Sequence, residues 1–90
     1  MDLSKQVMFS EKLFVQEVDG EFILLDMQSE NYFGLDAVAS DIWRIFNEGK
    51  NLAETVKTLQ ETYEVDEDTL YRDLEIFVRQ LIDNGLATLS

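Results

Sequence analysis

The chain has 90 residues, 19 of them acidic against 7 basic, a net charge of −12, and neither His nor Cys. That length fits one domain over residues 1–90, and 46% hydrophobic residues make it too apolar for a disordered acidic tail. Without His or Cys there are no imidazole bases, thiol nucleophiles or disulfides and almost no zinc chemistry, so no catalytic residue, cofactor or metal is assigned and an enzyme is not expected.

The opening Met1-Asp2-Leu3-Ser4-Lys5-Gln6 lacks the basic and long apolar regions of a signal peptide. No apolar stretch approaches the roughly 18 residues needed to span a bilayer. A cytoplasmic location and no membrane partner are therefore expected. Leu13-Phe14-Val15-Gln16-Glu17-Val18 is rich in β-branched and aromatic residues and stops at Asp19-Gly20. That dipeptide suits the two positive-φ positions of a type I′ hairpin turn. Glu21 to Asp26 returns as a second strand, and its unbroken apolar run predicts a central strand buried on both faces. After the polar Gln28-Ser29-Glu30, Asn31-Tyr32-Phe33-Gly34-Leu35 gives a third, short strand at the sheet edge.

From Asp36 the period becomes helical. Asp36 is a good N-cap, with Val38, Ile42, Ile45 and Phe46 as the inner stripe, Trp43 beside them and Gly49 as a left-handed stop. Asn51 and Glu54 form a capping-box pattern ahead of Leu52, Val56, Leu59 and Tyr63. Asp66 caps a third helix carrying Leu70, Leu74, Phe77, Val78, Leu81 and Ile82, closed by Asn84-Gly85, with Leu86 to Leu89 as an extended tail. Asp66-Glu67-Asp68 lacks the alternating ligands, central Gly and closing Glu of a calcium loop. Three strands at about 12–35 followed by three helices at about 37–84 describe an α+β, winged-helix-like fold with a three-stranded antiparallel sheet.

From Leu24 to Leu86 the chain resembles the PqqD-like family, the RiPP recognition elements that bind leader peptides of ribosomally made natural products. Leu24-Leu25-Asp26 followed by Tyr32-Phe33-Gly34-Leu35-Asp36 looks like the family's strand, loop and strand entering the first helix. Ala39, Ile42 and Trp43 sit where that helix carries a small residue and an Ile-Trp pair. Gly49 with Leu52-Ala53-Glu54-Thr55-Val56 is similar to the family's next junction, although Asn51-Leu52 replaces the more usual Thr or Ser cap. Tyr63-Glu64-Val65, Asp73-Leu74, Phe77-Val78, Leu81 and Gly85-Leu86 resemble its closing pattern.

The resemblance implies a winged-helix-like domain that takes an extended leader segment as an extra strand against the third strand. The leader's side chains would settle between that strand and the third helix. An unprotected edge suits this, since strand addition satisfies its free N–H and C=O groups. On this reading the backbone of Asn31, Tyr32, Phe33 and Gly34 pairs with the peptide, and Thr69, Asp73, Ile76, Phe77 and Gln80 wall the groove. Each residue also has an ordinary reading. Tyr32 and Phe33 point to opposite faces, so one is expected in the core; Phe77 lies equally on the core stripe. Asp73 suits a helix-surface ion pair worth about a few tenths of a kcal/mol. Ile76, about 160° from the stripe centre at ~100° per residue, reads as a lone exposed apolar residue unless it walls the groove.

The expected partners are thus a precursor leader peptide, basic where it meets the acidic rim, and a processing enzyme. A leader peptidase of a lasso-peptide pathway comes first, and a radical-SAM or other peptide-modifying enzyme second. A winged-helix transcription regulator is a weaker alternative. Its recognition helix should be basic, whereas residues 66–84 set Arg72 and Arg79 against Asp66, Glu67, Asp68, Asp73, Glu75 and Asp83. No nucleic-acid partner is therefore expected. An acidic protein-interaction module using the same edge is the third reading.

Overall fold

The computed structural model describes residues 1–90 as β1 (Val7–Phe9), β2 (Leu13–Val18), β3 (Glu21–Asp26), β4 (Tyr32–Gly34), α1 (Ala37–Asn47), α2 (Leu52–Thr62), α3 (Glu67–Asp83) and β5 (Ala87–Leu89). Asp19 (φ 52°) and Gly20 (φ 84°) are both left-handed, as a type I′ turn requires. β2 and β3 consequently pair along their whole length, from Leu13 opposite Asp26 to Val18 opposite Glu21. β4 pairs with the other side of β3, giving the antiparallel order β2-β3-β4.

The turn into β4 is built around Asp26. Its carboxylate accepts the Gln28 N–H and the Ser29 hydroxyl, at 3.0 and 2.8 Å, and Glu30 takes a φ of 64°. Those donors hold the Asp26 carboxyl below its ordinary range, the Gln28 N–H contributing most.

All three helices start where capping chemistry predicts. The Asp36 side chain accepts the Ala39 N–H at 2.8 Å. Asn51 and Glu54 form a complete capping box, each side chain accepting the other's backbone N–H at 2.8 and 3.0 Å. Asp66 accepts from the Asp68 N–H and the Thr69 hydroxyl. The helices then pack their apolar faces on one another around a single core, with α1 also against β3 and α3 against β5. Leu24, Leu52, Leu59, Leu74, Val78 and Leu81 are essentially inaccessible. Ser40 is buried too; it accepts the Phe22 N–H at 3.0 Å and donates to the Leu35 carbonyl at 3.2 Å, which pins α1 to the sheet. At the hairpin tip, Arg44 donates to the Gly20 carbonyl at 2.8 Å, pairs with Asp41 at 2.9 Å and lies 4.7 Å over the Phe22 ring.

Three expectations need correction. The β3 run is central but not buried on both faces: Phe22 and Leu24 are buried, while Ile23 and Leu25 on the other face are only half-buried. Val38 and Ile82, assigned to the inner stripes, are 43% and 37% exposed. Val38 lies in the first turn of α1 and Ile82 in the last turn of α3, where periodicity continues but the covering layer does not. The final segment is more than a tail. β5 pairs antiparallel with β1, Val7 opposite Leu89 and Phe9 opposite Ala87, forming a second sheet that ties the two ends of the chain together. No helix is long and apolar enough to cross a membrane.

Candidate functional site

One side of β4 has no neighbour. Its hydrogen bonding follows from the residues that flank it. Asp26 N–H donates to the Asn31 carbonyl and Leu35 N–H to the Phe22 carbonyl, both at 2.8 Å. Antiparallel pairs alternate between bonded and non-bonded, so the Leu24–Phe33 pair midway between them is also bonded. Tyr32 and Gly34, opposite Leu25 and Ile23, therefore aim their N–H and C=O groups at the open edge. Asn31 and Phe33 do not share that role. The Asn31 carbonyl is taken by Asp26 and its N–H donates to the Ser29 hydroxyl at 3.3 Å.

β4 runs through Leu35 into Asp36, which stands at the mouth of a groove between α1 and α3. This groove encloses about 420 Å³ and is lined by Asp36, Val38, Ala39 and Ile42 from the α1 side and by Asp73, Ile76, Phe77 and Gln80 from α3. Five of its eight lining residues are apolar, and its two charged groups are both carboxylates. Asp73 makes no ion pair, since the four salt bridges of the chain lie elsewhere. Ile76 is 51% exposed. Phe77 serves both core and groove: its ring stacks on Phe46 at 6.5 Å, and it packs against the core while lining the cleft. Apolar seats flanked by unpaired carboxylates suit an extended segment with an apolar anchor and a nearby cation.

Of the helix residues marked from sequence, the fold thus gathers Asp73, Ile76, Phe77 and Gln80 in one wall. Thr69, one turn before Asp73, does not line it; its hydroxyl donates to the Asp66 carboxylate at 2.8 Å. Of the strand residues, Tyr32 and Gly34 offer the edge. Phe33 packs partly against the core and Tyr32 is 73% exposed, so their side chains fall on opposite faces. Sequence reasoning missed the whole α1 wall. Val38, Ala39 and Ile42 share one helical stripe with the buried Ile45 and Phe46, and periodicity does not separate a core position from a groove position on that stripe.

A solved structure of TbiB1 in complex with the TbiA(beta) leader peptide superposes with a TM-score of 0.84 at 40% identity, covering 88% of this chain and 92% of that one. A lasso peptide synthetase B1 complexed with the leader peptide superposes with a TM-score of 0.85 at 28% identity, over 92% of this chain and 98% of the other. No curated protein matches the chain significantly. The sequence profile described as Coenzyme PQQ synthesis protein D (PqqD) matches residues 21–87. Since that match spans well over half of the sequence, this chain belongs to the PqqD family.

Proposed function

We propose that this chain binds the leader segment of a ribosomally synthesised precursor peptide as an added strand on β4 and delivers it to a processing enzyme, the leader peptidase of a lasso-peptide pathway. The observation that carries the reading is the continuity of the site. An edge with two outward-facing residues, Tyr32 and Gly34, runs on through Leu35 into Asp36, which lines a cleft with apolar seats. Backbone pairing supplies affinity on such an edge, and alternate side chains dropping into the cleft supply selectivity. The leader complexes formed by the two similar proteins support the same use of this fold. The likeness to a lasso peptide synthetase B1 over nearly all of both chains favours the lasso-peptide branch over a radical-SAM partner.

In this role the chain does no chemistry. It holds the leader so that the enzyme meets its substrate at high effective concentration. Asp36 and Asp73 select for a basic residue beside the apolar anchor, chiefly through association rate. The test is a fluorescence-anisotropy titration of labelled leader peptides from neighbouring precursor genes, with duplex DNA as the comparison. Saturable binding of a leader and none of duplex is expected. Tight duplex binding with no leader bound overturns the proposal.

A further inference from the structure

Only two polar residues of the chain are fully buried, Ser40 and Thr55. Thr55 returns its hydroxyl to its own helix, donating to the Asn51 carbonyl at 2.8 Å. Ser40 does not. From α1 it reaches into the sheet, accepting the Phe22 N–H at 3.0 Å and donating to the Leu35 carbonyl at 3.2 Å. A buried hydroxyl is costly unless its donor and acceptor are both used, and here both are.

The two groups it joins are the halves of one rung. Phe22 and Leu35 follow directly on the Ile23–Gly34 pair and fall at a bonded position of the ladder. Such a pair exchanges two backbone bonds. One is made, from the Leu35 N–H to the Phe22 carbonyl at 2.8 Å. The return bond, from the Phe22 N–H to the Leu35 carbonyl, is carried through the Ser40 hydroxyl instead. The rung is thereby held open on one side, and β4 ends at Gly34. The chain then turns through Leu35 into Asp36, whose carbonyl accepts the Ser40 N–H at 2.8 Å and whose carboxylate accepts the Ala39 N–H. Asp36 and Ala39 both line the cleft. One side chain therefore ties the end of the open edge to the start of the groove wall.

We propose that Ser40 is a positioning residue for peptide binding: its hydroxyl, held in the last rung of the sheet, fixes the offset between the outward groups of Tyr32 and Gly34 and the seats on α1 and α3. The inference rests on the peptide-binding reading of β4 and adds what makes its two halves act together. A peptide paired with Gly34 carries its next side chains toward Ala39 and Ile42. That second contact forms at high effective concentration only where the spacing of edge and groove matches the peptide. A junction fixed beforehand also spares the complex the cost of ordering it on binding. Alanine at this position leaves the Phe22 N–H and the Leu35 carbonyl two courses. They close on each other, which draws Leu35 toward β3 and Asp36 away from the cleft, or they stay unpaired, which frees the junction.

The test uses the intact chain and labelled leader peptide, at a temperature where circular dichroism shows each variant folded. Ser40→Ala should weaken leader binding about tenfold in an anisotropy titration, within the range that one lost hydrogen bond produces. Val7→Ala, a core truncation in the β1–β5 sheet, is the comparison: it should lower the melting temperature as well but leave leader affinity within about twofold. Deuterium exchange supplies a readout that a purely structural role would not move. With each variant loaded to the same fraction bound, the Gly34 amide should exchange about tenfold faster in Ser40→Ala than in the unaltered chain or in Val7→Ala. Should Ser40→Ala not fold, Ser40→Cys carries the same comparison, since its thiol is a weaker donor and acceptor at the same place. Leader affinity below that of Val7→Ala is then expected. A folded Ser40 variant that binds leader and protects Gly34 as Val7→Ala does overturns the positioning role and leaves the peptide site standing. Failure of the unaltered chain to bind leader strikes the peptide-binding reading itself.

Discussion

Replacing Gly34 by Pro separates the free edge from the fold. The Gly34 N–H points away from β3, so proline deletes a donor available to an incoming strand and breaks no bond inside the sheet. Losing one partner of a buried hydrogen bond costs about 1–3 kcal/mol, because the peptide carbonyl stays desolvated and unpaired. At about 1.4 kcal/mol per tenfold, leader affinity should fall roughly 5- to 140-fold. Gly34→Ala is the control. It keeps the N–H, and its Cβ meets nothing within 4 Å, so binding and stability should both be retained. Phe33→Pro should behave in the opposite way. It removes the inward N–H that pairs with Leu24, and it should lower the melting temperature by about 4–8 °C for each kcal/mol lost. Anisotropy titration and thermal denaturation on the three variants read both effects. Leader binding by Gly34→Pro equal to that of Gly34→Ala, or early melting of Gly34→Pro but not of Phe33→Pro, would refute the outward role of the Gly34 N–H.

The groove predicts further outcomes. Ile76→Ser should cut leader affinity about tenfold with little change in stability, because Ile76 is half-exposed and lines the cleft, whereas Ile82→Ser outside it should change neither; equal effects of the two on titration would remove Ile76 from the site. Leader affinity should weaken as salt rises, through screening of Asp36 and Asp73, and a dissociation constant independent of ionic strength would contradict a basic leader. At acid pH, the Thr69 hydroxyl foremost and then the Asp68 N–H hold the Asp66 carboxyl below its ordinary 3.8. That contribution is complete above 3.8 and disappears as pH falls through the lower folded value, so Thr69→Val should flatten the acid limb of a melting-temperature profile. At alkaline pH the Asp41 carboxylate, accepting the Tyr63 hydroxyl, raises the phenol above 10.0. Its contribution is present below 10.0 and is lost as pH rises through the folded value, a loss that Tyr63→Phe should abolish in the same profile.

What the sequence made legible was local. Asp19-Gly20 determined the hairpin because both residues take positive φ, and Asp36, Asn51 and Asp66 marked helix starts because a short side chain meets the free N–H groups of the following turn. The pairing of Val7–Phe9 with Ala87–Leu89 escaped because three-residue strands at opposite ends of a chain leave no periodic signal. The outward roles of Tyr32 and Gly34 depend on register. That register is set by the tight turn from Asp26 to Asn31, where Glu30 adopts a left-handed conformation its residue type does not announce. Asn31 and Phe33 were included in the edge because a run of letters carries no alternation of hydrogen-bond direction. The groove was half visible: Ile76 broke the α3 pattern, while Val38 followed the α1 pattern and was missed for that reason.

The same distinction explains how an acidic chain carries a winged-helix-like shape. Charge borders the apolar surfaces rather than replacing them. The carboxylates Asp36 and Asp73 stand at the cleft and Asp19 and Glu21 at the hairpin tip, while the row that Phe14, Leu25 and Tyr32 form across the three strands is uncharged. Phosphate would be repelled at the first two places and would find no cation at the third. A peptide strand needs none of that charge to pair, because the groups it meets on β4 are backbone dipoles present whatever the net charge. The negative field then acts on the ligand's side chains alone, where it selects by sign without opposing the pairing that holds the strand.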